Sequence, residues 1–116
     1  MEELIKQVYQ ALEAVVPDIY PNVIPDDQTP PCAVYEVVDS EEENFVDGGK
    51  LIERVEIEVE FFSPDYGQTV TKRREIQAAM RSLNAFMEQI TDKSHYYSDD
   101  KIHSWVQSFT FRTNLV

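Results

Sequence analysis

The sequence is poor in cysteine, glycine and basic residues, and each shortage excludes a class of protein. A single cysteine, Cys32, cannot form an internal disulfide and is typical of a reducing compartment. Three glycines in 116 residues leave little with which to build a glycine-rich phosphate loop. No apolar run approaches the ~20 residues that a membrane span requires. The first residues also lack a basic region followed by an apolar stretch, so we expect no secretion signal.

Basic residues are outnumbered by acidic ones, 10 against 22, which gives a net charge of −12. Such a surface repels nucleic acid and anionic lipid at long range, which argues against DNA binding as the main function. The charges are unevenly placed. Ten acids lie within residues 36–60, whereas four of the bases, Lys72, Arg73, Arg74 and Arg81, lie in one later segment. Separate acidic and basic patches favour pairing between copies of the chain.

The spacing of apolar residues predicts two amphipathic helices. The first spans residues 2–16 and ends at a proline-rich connector, residues 17–31, which we expect to hold a short edge strand. The second begins at the Ser-Pro-Asp sequence of residues 63–65, a helix-start signal, and is predicted to run to about Glu88 or Ile90.

Three segments are rich in β-branched and aromatic residues and predict strands. The first is Cys32–Val38, followed by an acidic loop over residues 39–50. The second, Leu51–Phe62, has the clearest two-residue alternation in the chain. After a polar loop over residues 91–101, the last strand is Ser104–Arg112. The first two strands predict a hairpin with a long tip.

This order of elements predicts an α+β fold. We expect a two-layer sandwich, in which an antiparallel sheet of three to four strands carries two helices packed on one face. Residues 1–116 are long enough for one hydrophobic core and too short for two, so we predict a single domain.

The strand between Arg54 and Phe62 carries a glutamate at every second position. Because strand side chains alternate between faces, Glu56, Glu58 and Glu60 share one face, and the apolar residues between them share the other. Burying that apolar face is worth roughly 6–12 kcal/mol. Repulsion between neighbouring glutamates in water costs only about 0.6 kcal/mol per pair. The fold therefore tolerates the acidic row without explaining it.

Three interpretations of the acidic row stay open: a solvent-exposed sheet face, a catalytic or metal site, and a surface used in assembly. A metal site is disfavoured because no His, Asp or Cys accompanies the glutamates at ligand spacing. His95 and His103 are eight residues apart and lack partners in a metal motif, and Cys32 has no nearby base to make it a thiolate. We therefore predict no catalytic residues, no cofactor, no metal site and no small-molecule substrate.

Two further segments are candidate contact surfaces. The basic cluster Lys72, Arg73 and Arg74 lies in the first half of the second predicted helix, where cations are disfavoured by the helix dipole. It is either a solvated helix face or a surface that meets acids of another chain. The long acidic tip contains Phe45, an apolar residue typical of a contact. Its candidate contact residues are Glu41, Glu42, Glu43, Phe45 and Asp47.

The chain as a whole resembles the small tail-completion, or tail-terminator, proteins that join tail to head in long-tailed bacteriophages and prophages. The resemblance rests on the helix ending at Ile19-Tyr20-Pro21 and on the connector leading into PPCAVY at residues 30–35. The acidic loop, the strand Arg54–Phe62, the Ser-Pro-Asp turn, a long helix and a closing aromatic strand follow in the same order.

The resemblance implies a structural virion protein of the tail and neck, made in the cytoplasm of the host bacterium. Such proteins form a ring, usually a hexamer, that caps the tail tube and docks to the head connector while DNA passes without specific binding. The implied partners are thus other copies of the chain, the tail-tube protein and the head-connector protein, with no membrane. Glu41, Glu42, Glu43 and Asp47 are then candidates for the neighbouring subunit or the connector. Glu56, Glu58 and Glu60 are candidates for the lumen or an exposed sheet face.

Two other functions remain open on the sequence alone. A small acidic inhibitor that mimics DNA would use the same net charge and the same regular strand carboxylates to occupy a basic enzyme. Its binding would weaken at high salt, and the chain would be a monomer or dimer rather than a ring. A hydrolase using a carboxylate pair would need a concave site, which the sequence does not reveal.

Overall fold

The residues that the structure describes form a five-stranded sheet with two helices. The computed structural model describes residues 2–44, 51–83 and 85–114. Phe45 and Asp47, two of the candidate contact residues, lie outside the described residues. The elements in chain order are α1 (Glu2–Val15), β1 (Ile19–Pro21), β2 (Cys32–Asn44), β3 (Leu51–Ser63), α2 (Tyr66–Arg81), β4 (Phe86–Tyr97) and β5 (Ile102–Asn114).

The first helix forms as the apolar spacing predicts. Leu4, Val8 and Leu12 are buried along one stripe, and acidic residues in the first turn suit the positive end of the helix dipole. The helix ends at Val15, two residues before Pro17, whose ring would clash with a continuing helix.

The sheet has the order β1-β2-β3-β5-β4, so the prediction of three to four antiparallel strands is wrong in two respects. First, the connector folds back so that Ile19–Pro21 pairs with β2 in the parallel direction, which makes the sheet mixed. Second, β4 adds a long edge strand antiparallel to β5. The α+β class and the two-layer arrangement with both helices on one face agree with the prediction.

The predicted end of the second helix is wrong: α2 stops at Arg81, and β4 begins at Phe86. A bulge in β4 explains why the apolar spacing was misleading. Met87 pairs with Phe111 and Ile90 with Phe109, so one extra residue, Glu88, lies between the two pairs. The bulge turns both apolar side chains toward the core although they are three positions apart, a spacing that imitates a helix. The predicted polar loop over residues 91–101 is accordingly strand up to Tyr97.

The acidic loop predicted after Val38 is also strand over its first part. Residues Asp39–Asn44 continue β2 and pair with Glu56 and the beginning of β3, after a bulge between Val37 and Asp39. Glutamate is a poor strand former, but pairing with the first residues of β3 along the full 13-residue hairpin arm overrides this preference. The molecule is correspondingly elongated, with principal extents of 52 × 23 × 23 Å.

The core lies between the helices and one face of the sheet. Val55, Ile57, Val59 and Phe61 of β3 are almost fully buried there, as the alternation predicts. Side chains from α1, α2, β2 and β5 complete the cluster, among them Val8, Leu12, Ile76, Met80, Tyr35, Phe109 and Phe111. The opposite face, which carries the glutamate row, is left outside the core.

Neither of the two helices in the described residues is both long and apolar enough to cross a membrane.

Candidate functional site

The glutamate row is the centre of a larger acidic surface, which we call the acidic sheet face. On β3, Glu56, Glu58 and Glu60 are each partly exposed. The register places Glu36 of β2 directly opposite Glu58, and Asp39 of β2 directly opposite Glu56. Five carboxylates from two strands therefore share the sheet face that points away from the helices.

Crowding on the acidic sheet face shows in the protonation of its central residue. The pKa of Glu58 is raised, first by burial and then by the neighbouring carboxylates of Glu36, Glu60 and Glu56, while Lys93 opposes the shift. Burial and like charges both disfavour the ionised form of a carboxyl group. The carboxylates of this face therefore repel one another. A bound cation, or a partner that excludes water, would change this repulsion.

Glu60 differs from its two neighbours because it accepts hydrogen bonds. Its Oε2 accepts one from the Tyr97 hydroxyl at 2.8 Å and one from Ser104 Oγ at 2.9 Å. Burial, followed by this bond to the carboxylate, raises the pKa of Tyr97 to about 12. Glu60 thus links β3 to β5 and β4.

The acidic sheet face has no feature of a catalytic centre among the described residues. Within those residues, no group of three His, Cys, Asp or Glu side chains is arranged to hold a metal ion. The face borders a shallow groove of about 260 Å³ beside Glu58, Lys93 and Ser108. Its chemical capability is electrostatic: it repels polyanions and attracts cations.

The candidate residues at the predicted tip lie on the distal part of β2. Glu41 pairs in register with Arg54, Glu42 with Glu53, and Glu43 with Ile52. Glu41 and Glu42 are exposed, so they are available to a partner. Ser40 Oγ donates a hydrogen bond to Glu53 Oε2 at 3.2 Å, which ties this part of β2 to β3.

The basic cluster on α2 is divided by the fold. The Lys72 ammonium donates to the Val15 carbonyl oxygen at 2.9 Å and also pairs with Glu75 at 2.9 Å. Lys72 therefore satisfies a carbonyl at the C-terminal end of α1, where a cation is favoured. Its charge is engaged within the chain.

Arg73 is engaged more extensively than Lys72. It pairs with Asp92 of β4, and its guanidinium lies over the Trp105 ring, 4.9 Å from the centroid. The Arg73 carbonyl oxygen accepts a hydrogen bond from Gln107 Nε2 at 3.2 Å. Arg73 thus fastens α2 to the outer two strands of the sheet.

Arg74 is the member of the cluster that the fold leaves available. Its side chain is exposed, and it makes no ion pair within the part of the chain that the structure describes. Of the three residues in the predicted basic cluster, Arg74 is therefore the candidate for a contact with another chain. Arg81, two turns later on α2, is also exposed.

Sequence reasoning missed an aromatic cluster at the β4–β5 turn. Tyr66 at the start of α2 and Tyr96 of β4 contact His103 from two sides, with ring centroids 5.3 and 4.7 Å from it. On the other face, His95 contacts Tyr97 at 4.3 Å. Tyr66 and Tyr96 are about half exposed, 50% and 49%. The sequence signal was the HYY run at residues 95–97, which the prediction assigned to a loop.

Comparison with known proteins shows similarity to one protein family and to solved structures. A family model described as tail completion protein gp17 matches residues 5–114. Among solved structures, a chain from the virion of a native gene transfer agent particle is similar in fold, with a TM-score of 0.55. The two chains share 14% identity, and the similarity covers 92% of this chain and 91% of the other. No curated protein matches the sequence significantly.

Proposed function

The chain belongs to the tail completion protein gp17 family, and from this membership we propose that it forms a ring at the junction of tail and head, where DNA passes through the lumen. Membership confirms the coarser part of the sequence-based prediction: the chain is a structural virion protein of the tail and not an enzyme. The ring, its partners and its lumen are the proposal. The proposed ring caps the tail tube on one side and contacts the head connector on the other.

The acidic sheet face is the observation that carries the lumen proposal. Five carboxylates on one face are a poor arrangement for stability, because Glu36 and Glu58 repel each other across the strands. A channel for DNA benefits from this arrangement because negative walls do not hold phosphates. We therefore assign Glu56, Glu58 and Glu60 to the lumen wall.

The contact residues are assigned from exposure. Glu41 and Glu42 project from the distal part of β2, and Arg74 projects from α2. A head-to-tail ring needs two different patches on each subunit, and we assign Glu41 and Glu42 to the contact with the next subunit. We assign Arg74 to the contact with the tail tube or the head connector. Lys72 and Arg73 support this contact indirectly, because they hold α2 in place. We propose the host bacterial cytoplasm as the site of synthesis.

The proposal is tested by complementation of particles that lack the chain. Preparations without it should contain separate heads and tails in electron micrographs, and added purified protein should restore joined particles. The variant with Glu56, Glu58 and Glu60 all changed to glutamine should join heads to tails normally but slow the release of DNA. A variant with three exposed carboxylates outside the acidic sheet face neutralised, Glu2 of α1 and Asp26 and Asp27 of the connector, is the matched control.

The DNA-mimic function gives a different result in the same preparations. A mimic would leave joined particles in the preparation without the chain, and the purified protein would bind a basic nucleic-acid enzyme at low salt. Joined particles in the absence of the chain would therefore contradict the proposed ring.

A further inference from the structure

The sheet ends in two long strand edges for which the described residues provide no partner. One is the outer edge of β4, and the other is the distal part of β2, residues Glu36–Asn44. We infer that each subunit joins the next by pairing these two edges, so that the sheets of all subunits form one continuous sheet around the ring. This inference rests on the ring proposed above.

The β4 edge is unusually long for a strand that has no neighbour. It has 12 residues, and within the described ranges it pairs only with β5. Thr91, Lys93, Ser94 and His95 along it are exposed. Proteins normally protect an edge by keeping it short, covering it or bending it, because unpaired backbone groups are a template for another strand. Here the bulge at Glu88 interrupts only one end, and Gln89–Tyr97 continues without interruption.

The β2 edge becomes free where β1 ends. β1 covers β2 only from Ala33 to Tyr35. Asn22, with a positive φ of 65°, then turns the chain away, after its N–H donates to the Tyr35 carbonyl oxygen at 2.9 Å. The next nine residues of β2, Glu36–Asn44, have no strand on that side among the described residues. Both edges are therefore long enough for a stable strand pair.

Charge makes the two edges complementary. Segment 36–44 carries five acids and no base. On β4 the two acids are each paired with arginines of other elements: Arg54 and Arg112 both pair with Glu88 at 3.0 Å, and Arg73 pairs with Asp92. Lys93 is the one basic residue of β4, and it is exposed. An acidic β2 edge and an exposed lysine on the β4 edge of one chain fit a second copy of that chain, joined head to tail.

Strand direction also fits. β2 and β5 run one way, and β3 and β4 run the other way. Rotation about a ring axis that runs roughly along the strands keeps each direction, so β4 of one subunit meets β2 of the next in the antiparallel sense. Antiparallel pairing is the slightly more stable kind. Subunits joined this way all turn the same sheet face toward the axis.

The joined ring also determines which face lines the lumen. The two helices occupy more volume than the bare sheet face, so the longer circumference, which is the outer one, suits the helix layer. The acidic sheet face then lines the inside. The pairing of β4 with β2 of the next subunit thus accounts for both the subunit contact and the acidic lumen proposed for DNA passage.

A charge exchange between the edges tests the inference. Lys93→Glu places an acid against the acidic β2 edge, and Glu41→Lys places a base against Lys93 of the β4 edge. Each single variant should raise the concentration needed for ring assembly by at least about tenfold, and the double variant should restore it to near the wild-type value. Lys6→Glu, an exposed reversal on α1, is the matched control and should assemble like the wild type. Assembly is measured as mass by light scattering, with tail tubes present.

Chemical cross-linking gives an independent test. With Ser94→Cys on β4 and Glu42→Cys on β2 in the same chain, a short bifunctional thiol reagent should produce a ladder of covalent oligomers. Either variant alone should give no ladder beyond dimers, and the native Cys32 is buried. The pair Glu3→Cys with Gln10→Cys on the exposed face of α1 is the control and should give no ladder.

The possible outcomes separate this inference from the proposed function. Rings that form equally well in both single charge variants, or a double-cysteine chain without a ladder, would overturn the edge joint while leaving the ring intact. A wild-type chain that stays monomeric with and without tail tubes would overturn the ring itself, and the edge joint with it.

Discussion

Glu36 on β2 lies directly opposite Glu58 on β3, on the sheet face that points away from the helices. Like charges directly opposite each other in a sheet are destabilising, and here Glu56 and Glu60 flank the pair on the same strand. The core on the other side of β3 supplies enough stability to tolerate this cost. The cost is understandable if the negative face serves an assembled particle.

Replacing Glu58 with glutamine should stabilise the folded chain at neutral pH. The raised pKa means that the folded state favours the protonated Glu58 carboxyl over the ionised one. The protonated carboxyl therefore adds to the free energy of unfolding below the ordinary glutamate pKa, and this addition is lost as the pH rises through the raised pKa. At pH 7 the ionised Glu58 therefore lowers the free energy of unfolding. We expect Glu58→Gln to raise it by roughly 0.2–1 kcal/mol.

Urea unfolding of the Glu58→Gln variant at several pH values measures this difference. The gain should shrink as the pH falls through the raised pKa of Glu58 and should be smallest below the ordinary glutamate pKa, because both side chains are then neutral. Asp26→Asn, in the exposed connector, is the control. An equal gain at acid pH would show that the carboxylate charge is not the cause.

Tyr97 should ionise later than an ordinary tyrosine. Its pKa is raised from 10.0 to about 12, first by burial and then by the hydrogen bond to Glu60. An alkaline absorbance titration of the wild type minus Tyr97→Phe should show this late component. Glu60→Gln should move it toward lower pH without removing it, because burial remains. Since the folded pKa is the higher one, Tyr97 should also make the chain less stable as the pH rises from 10 to 12.

Arg73 and Arg74 are adjacent in the sequence but should differ in their effect on stability. Arg73→Ala removes the pair with Asp92 and the contact with the Trp105 ring, and we expect it to lower the free energy of unfolding by about 1–2 kcal/mol. Arg74→Ala should change it by less than about 0.5 kcal/mol, as is usual for an exposed side chain. Equal effects in urea unfolding would contradict the division of the basic cluster.

Charge reversal of Arg74 tests the helix surface separately from the strand edges. Arg74→Glu should leave the unfolding midpoint unchanged and weaken attachment of the ring to tails or connectors, measured by co-sedimentation with each component. A triple reversal that includes Lys72 and Arg73 would be less informative, because those two residues stabilise the fold. Wild-type co-sedimentation of Arg74→Glu with both components would exclude Arg74 as a contact.

Much of the fold is predictable because it follows from local patterns. The burial stripe of α1 and the alternation of β3 give these two elements almost to the residue, and together they give the α+β class. The start of α2 is equally local, because Asp65 accepts a hydrogen bond from the Gly67 N–H at 2.9 Å and so caps the helix.

The errors arise where a local pattern is ambiguous or where a distant contact decides. Met87 and Ile90 have helical spacing, and only the bulge in β4 explains why a strand buries both. The strand character of Asp39–Asn44 depends on pairing with β3, which overrides the low strand preference of glutamate.

In the candidate site, too, the sequence predicts what depends on local pattern and not what depends on distant contacts. The sequence identifies the glutamate row on one face because alternation is local. It does not reveal that Lys72 and Arg73 are engaged within the chain, since their partners Val15 and Asp92 are 57 and 19 residues away. Nor does it reveal that β4 and the distal part of β2 have no outer neighbour among the described residues, because this depends on the strand order.

Light scattering of the wild-type chain, alone and with purified tail tubes, tests the central claim most directly. The proposed ring predicts a closed assembly of several 13.5 kDa chains, with a hexamer expected from the family resemblance, that co-elutes with the tubes. A particle of one or two chains under both conditions, at concentrations where tails are completed, would contradict it.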